Sequence, residues 1–181
     1  MTSAHLEITK TWNGHPVSRE HHVNINLKYD QNLTIEVSSP FYNNPHLPDM
    51  TDRPGTMEKL YNYEVVEVFL LGENDHYLEV ELGPKGQYLV LELKGYRNVT
   101  RYPIALPHYQ SKVSGRRWTG TALIPKDILP AKISRINCYA IYGTEPKRTY
   151  LALSPAPSNN PNYTAPDFHR LELFQPISIF K

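Results

Sequence analysis

Helical periodicity is nearly absent from this chain, and that one feature removes most architectures before any residue is assigned a role. Runs of five to nine residues rich in Val, Ile, Tyr, Thr and Leu recur instead, separated by clusters of Gly, Pro, Asn and Asp. That punctuation belongs to an all-β chain. Strands are expected at 5–12, 20–28, 32–38, 63–71, 77–82, 87–94, 97–105, 116–124, 134–142, 148–153 and 168–174. Their number suits a two-sheet antiparallel β-sandwich with little helix. The Asn13-Gly14 pair after Trp12 supplies the positive φ of a tight hairpin turn. Gly83-Pro84-Lys85-Gly86 is a second turn signal, and Lys126–Leu129 after Pro125 can form one short helical turn.

The chain has 181 residues, 40% of them apolar, enough for one sizeable core, so residues 1–181 are read as a single domain. Two stretches break the rhythm of strands, 39–61 and 154–167, with prolines at 40, 45, 48 and 54 and at 155, 157, 161 and 166. Connections of that length inside a compact domain are commonly lids or binding loops, the other reading being a simple flexible connection.

Nineteen Lys and Arg stand against eighteen Asp and Glu with no long run of one sign, which points to neither nucleic acid nor an anionic membrane surface. Cys138 is the one cysteine; it excludes an internal disulfide, and in the apolar run INCYAIYG it reads as a small buried hydrophobe. The opening residues lack the basic and apolar regions of a secretory signal, and no apolar stretch approaches the ~20 residues of a membrane-spanning helix. A cytoplasmic location is expected, and the sequons at Asn32, Asn98 and Asn162 are read as chance. Nothing in the composition bears on oligomeric state.

Alternation sorts the central strands into faces. In 77–82, Leu78, Val80 and Leu82 share one face and Tyr77, Glu79 and Glu81 the other. A four-residue turn at Gly83–Gly86 would set Leu82 against Gln87, adding Leu89, Leu91 and Leu93 to the apolar face and Tyr88, Val90 and Glu92 to its opposite. For 63–71, a five-residue turn through GENDH places Val66, Val68 and Leu70 in the core and Glu67 with Phe69 on the acidic face. A four-residue turn would instead push Glu67 among Leu78, Val80 and Leu82, a carboxylate burial that costs several kcal/mol, so the five-residue turn is expected. The resulting surface of Glu67, Glu79, Glu81, Tyr77, Tyr88 and Phe69 is either a solvated sheet exterior or a place where rings stack on a ligand and carboxylates accept its hydroxyl hydrogens.

Tyr61-Asn62-Tyr63-Glu64-Val65-Val66-Glu67-Val68-Phe69, Tyr77-Leu78-Glu79-Val80-Glu81 with Gly83–Gly86, and Trp118 followed by Ala122-Leu123-Ile124-Pro125 together resemble the family-9 carbohydrate-binding modules and the wider DOMON-like sandwiches. Over nearly the whole chain the WNGHPV, YEVVEVF, YLEVELGPKGQYLVLEL, RNV, KRTYLAL and PDFHRLE segments resemble the uncharacterised family named after human chromosome-4 open reading frame 33. The resemblance to the sugar-binding modules implies a site among the loop after residue 38, the YNYEVVE strand and the C-terminal strands. It places Tyr61 as the stacking aromatic, Glu67 as the hydroxyl acceptor and Arg148 as a polar contact, with Leu153 where those modules often carry a second tryptophan.

Some DOMON-like proteins hold haem through Met and His, but the histidines here show no metal-ligand spacing, so no cofactor and no metal are expected. Trp118 and Trp12 read as structural aromatics. The reading reached is a domain that binds a small polar ligand, a sugar or glycoconjugate, in a pocket roofed by the two Pro-rich loops. Tyr61 would stack, Glu67 and Arg148 would hydrogen-bond, Phe41 or Tyr42 would close the lid, and Asp167 and His169 would be further ligand-binding residues. The alternatives are an enzyme with Glu67 or His169 as acid or base, and a protein-interaction domain using the acidic and aromatic face.

Overall fold

The computed structural model describes residues 1–181. Its strands form two sheets. In the smaller, β1 (Thr2–Ile8), β3 (Val23–Tyr29), β4 (Leu33–Pro40), β11 (Arg117–Ile124) and β10 (His108–Ser114) lie side by side in the order β1-β3-β4-β11-β10, all antiparallel. In the larger, β2 (Lys10–Thr11), β13 (Thr149–Ala152), β12 (Arg135–Tyr142), β6 (Val65–Leu71), β7 (His76–Leu82), β8 (Gln87–Lys94) and β5 (Gly55–Thr56) follow one another in that order. β9 (Val99–Arg101) adds to β8 and β14 (Gln175–Pro176) to β12. Only β5 runs parallel to its neighbour. The protein is an antiparallel β-sandwich, and no helix is long and apolar enough to cross a membrane.

Alternation builds the interior between the sheets. Val23, Ile25 and Leu27 of β3 and Leu33, Ile35 and Val37 of β4 point inward, meeting Val66, Val68 and Leu70 of β6, Leu78, Val80 and Leu82 of β7 and Cys138 of β12. Trp118 is buried in this core and so is structural. Gly120 lets Tyr109 lie across β11, since a Cβ there would stand 2.8 Å from the Tyr109 hydroxyl. That hydroxyl reaches the other sheet and donates to the Gly83 carbonyl at 2.5 Å.

The outer face of the larger sheet is also covered. Phe69, Tyr77, Leu89, Leu93, Tyr139 and Ile141 form a second cluster with Leu60, Phe168 and Phe174, which come from segments that fold back over the sheet. β6 is therefore buried along its whole length, the middle layer of three.

Two registers decide which side chains meet. Leu71 pairs with Tyr77, leaving the expected five residues, 72–76, in the first turn, so Glu67 and Phe69 face outward. At the next turn Leu82 pairs with Tyr88 and not with Gln87; five residues, 83–87, form the turn, closed by the Gly83 N–H donating to the Gln87 carbonyl at 2.8 Å. The expected four-residue turn is thus corrected, and every side chain of β8 changes face: Tyr88 and Val90 enter the main core, and Leu89, Leu91 and Leu93 join the glutamates.

Other expectations shift as well. The segment 168–174 is a turn with one 3-10 stretch at Leu171–Leu173 and not a strand, and 97–105 contracts to β9. β10 was not anticipated, because HYQSKVS alternates buried Tyr109 and Ser111 with exposed polar residues and offers no aliphatic run. At the Asn-Gly turn only Gly14 has positive φ.

Candidate functional site

On the outer face of the larger sheet a cleft of about 700 Å³ opens between the covering segments. Its floor is set by strand register. Glu67 on β6 lies directly opposite Glu81 on β7, and Glu79 is two residues from Glu81 on the same face. One carboxylate oxygen from each of the three lies within 4.8 Å of the others. Leu89, Leu91 and Leu93 continue the floor along β8, Ile141 and Tyr150 bound it on the other side, and Glu58, Lys59, Tyr61, Val99, Tyr102, Pro166, Phe168 and His169 form the walls.

The carboxyl groups are out of contact with bulk water: Glu67 and Glu81 are each 1% exposed. Burial is the main reason all three hold their protons above the ordinary glutamate range. The negative charge of the neighbours adds to this for Glu67 and Glu81, whereas Glu79 is pushed up less because both neighbours can hydrogen-bond to its charged form. No lysine or arginine nitrogen comes within 4.0 Å of any of them; the nearest basic atom is His169 Nε2, 3.9 Å from Glu79 Oε2.

His169 is held by Tyr77, whose hydroxyl lies 2.8 Å from Nδ1, and its ring meets Phe69 edge-on. Burial, aided by the charge of Arg97, lowers its pKa to about 4, so the imidazole is neutral at pH 7. Asp167 organises the wall. It accepts from the Tyr96 hydroxyl at 2.6 Å, from Arg97 at 2.9 Å and from the backbone N–H of His169 at 3.1 Å. Behind the wall, Tyr139 stacks on Phe168 at 3.8 Å between ring centres and donates its hydroxyl hydrogen to the Phe168 carbonyl.

No family model matches the chain. Relatives aligned over most of its length do. The chain is 45% identical over 96% of its length to the UPF0462 protein C4orf33 homolog of Rattus norvegicus, covering 87% of that protein. It is 39% identical over 94% of its length to the human UPF0462 protein C4orf33, covering 85% of it. The chain belongs to the UPF0462 family. Among solved structures, a candidate carbohydrate-binding protein from Bacteroides uniformis superimposes on this UPF0462 chain with a TM-score of 0.61, over 94% of this chain and 84% of the other. At 13% identity that likeness speaks to the fold.

The UPF0462 structure brings Tyr61, Glu67 and His169 to one cleft, with Asp167 just behind its wall. It does not bring Phe41 or Tyr42 there, which corrects the expectation that either closes over the site. Tyr42 stacks on Tyr142 at 3.8 Å and lies 2.6 Å from His21 Nδ1, and Phe41 packs against the main core with Lys85 over its ring. Both follow β4, at the edge where the two sheets meet, because the buried Glu64 carboxylate accepts from the backbone N–H groups of Tyr42 and Asn43 at 2.9 Å each and ties that segment down. Arg148 is also corrected as a ligand contact. Its guanidinium donates to the Gly143 carbonyl at 2.8 Å and to the Tyr61 carbonyl, so it fixes the backbone that carries Tyr61. Asp167 bonds the backbone N–H of His169, while the ring Nδ1 pairs with the Tyr77 hydroxyl.

Tyr102, Arg97, Lys59 and the leucines of β8 were missed in UPF0462 by sequence reasoning. Correct counting of the 83–87 turn would have found the leucines; Tyr102 and Lys59 lie in irregular segments where no periodicity points to them.

Proposed function

We propose that the cleft binds a small polyhydroxylated ligand, a sugar or glycoconjugate. The observation that carries this reading is where the exposed aromatic surface lies. Apart from Met1, the large hydrophobic side chains left exposed are Tyr61, Tyr96, Val99 and Tyr102; three of these line the cleft, and Tyr96 lies beside Arg97, which lines it too. Tyr61 and Tyr102 are 47% and 40% exposed. Rings on the rim, carboxyl groups at the base and a volume of about 700 Å³ match the division of labour in small-ligand sites, where apolar surface supplies area and a few polar groups fix orientation. A sugar ring stacked on Tyr61 would turn its hydroxyls toward Glu67, Glu79 and Glu81. The candidate sugar-binding role of the Bacteroides uniformis protein of the same fold supports the choice of ligand class.

The test is calorimetric titration of the wild type and of Tyr61→Ala and Tyr102→Ala with a panel of mono- and oligosaccharides, nucleotides and small acids. At least one saccharide should bind, and each substitution should weaken it roughly three- to tenfold, as expected for loss of one stacked ring. Binding confined to other compound classes, or saccharide binding indifferent to both substitutions, would sink the reading.

The clustered glutamates favour one second reading, a hydrolytic or proton-transfer enzyme in the same cleft. Glu67 or Glu81 held protonated beside the more readily ionised Glu79 would provide an acid and a base in one site, with neutral His169 as an alternative base. Turnover of a bound saccharide that is lost in Glu79→Gln would favour it over binding alone.

A further inference from the structure

Three glutamates converge at the base of the cleft with no lysine or arginine nitrogen within 4.0 Å of them. The one basic atom within 4.0 Å is Nε2 of His169, whose ring is held through Nδ1 by the Tyr77 hydroxyl at 2.8 Å. Arg148 is turned to the carbonyls of Gly143 and Tyr61, and Arg97 is engaged by Asp167. Glu67 Oε2 and Glu81 Oε1 are buried and, any proton shared within the triad aside, accept from no N–H or O–H donor. Both residues line the cleft. Buried acceptors without partners are rare enough in folded proteins to require an explanation. Two can be offered: protons shared among the three acids, or a metal ion.

We propose that Glu67, Glu79 and Glu81 form a binding site for a calcium-type divalent cation. The donor set is all carboxylate oxygen, which selects hard cations over zinc or copper. The choice of Ca2+ over Mg2+ follows from ligand number. Ca2+ takes about six to eight oxygen ligands in flexible geometry, and three carboxylates converge here, one oxygen from each lying within 4.8 Å of the others. Mg2+ demands a near-ideal octahedron, keeps several of its waters and is usually held by one or two carboxylates. Three carboxylates provide up to six oxygens, and the open side of the ion would face the cleft. Completion of the coordination shell by ligand hydroxyls rests on the polar-ligand reading above; the cation site itself does not.

The protein stripped with EDTA and desalted would be titrated with CaCl2, MgCl2 and MnCl2 alone, by calorimetry and by thermal melting at pH 7.5. Ca2+ at a hundredfold excess over Kd should raise Tm by roughly 5–10 °C and bind more tightly than Mg2+ or Mn2+. Glu67→Gln and Glu81→Gln should each weaken Ca2+ binding at least tenfold while melting in EDTA at or above the wild-type temperature, which shows that the variants are folded. No response to Ca2+, or a response that persists in both variants, would overturn the proposal and leave proton sharing as the state of the triad. An equal or stronger response to Mg2+ would overturn the calcium assignment. Saccharide titrations run in EDTA keep the two readings separate, because sugar binding without cation binding would refute the cation site alone.

Discussion

Two buried acidic residues three positions apart do opposite jobs. Glu64 meets two backbone N–H groups, so its carboxylate serves as a structural acceptor for the segment after β4. Glu67 meets other acids. Glu64→Ala strands both donors in a partly buried position and should lower stability by about 1–3 kcal/mol, measured by urea unfolding, with little effect at the cleft. A loss below about 0.5 kcal/mol would show that the tie is weak. His169 gives a prediction in pH. Its ordinary value of 6.5 in the unfolded chain falls to about 4 in the folded protein, so the unfolded state binds the extra proton between those values. Its contribution is complete above pH 6.5 and is lost as pH falls toward 4, on the order of 3 kcal/mol for the full shift. His169→Gln should flatten the stability profile over that window; a profile that keeps its slope would assign the acid sensitivity elsewhere.

Among the elements, the β7–β8 hairpin decides the character of the cleft, because its turn length chooses whether leucines or Tyr88 and Val90 line the floor. Gly86 is essential to that choice. It has φ +93°, and a Cβ there would fall on the Met50 carbonyl. Gly86→Ala should therefore cost about 1–3 kcal/mol, or force the turn to rearrange and perturb ligand binding as well. An unchanged melting temperature would show that the turn accommodates a side chain. The same hairpin marks how far the sequence could be read. Alternation and turn signals were sufficient for the two-sheet sandwich, the outward position of Glu67, Glu79 and Glu81 and the burial of Trp118 and Cys138. They were insufficient for β8, since Gln87 gives no local sign that it belongs to the turn. Its side chain is held by the Pro48 carbonyl, a contact 39 residues away in sequence. Phe41, Tyr42 and Arg148 were misplaced for a similar reason: their partners, Glu64, His21, Tyr142, Gly143 and Tyr61, are set by tertiary packing.

Taken as a whole, the molecule has three layers, and this changes the meaning of the acidic face. The sequence suggested either a wet exterior or a binding surface, and the desolvation argument used to orient Glu67 assumed that turning outward returns it to water. The covering segments bury it regardless. The triad therefore opposes folding at neutral pH. The three glutamates have folded-state values raised above the ordinary 4.5, so the protein holds protons that the unfolded chain releases. Stability attributable to them is complete below pH 4.5 and declines as pH rises toward and through the raised values. In EDTA, Glu81→Gln should raise Tm at pH 7.5 by a few degrees and have less effect at pH 4.5, read by thermal melts at both values. A lower Tm at pH 7.5 would mean that the carboxylate makes a net favourable contact. Because the floor belongs to strands that pair across the centre of the sheet, its amides should exchange with solvent only when the entire sandwich opens, whereas the walls, built from the irregular segments, can exchange through local opening. Ligand preference in such a molecule can drift by substitution in the walls at little thermodynamic risk, while the chemistry of the base stays tied to the survival of the fold.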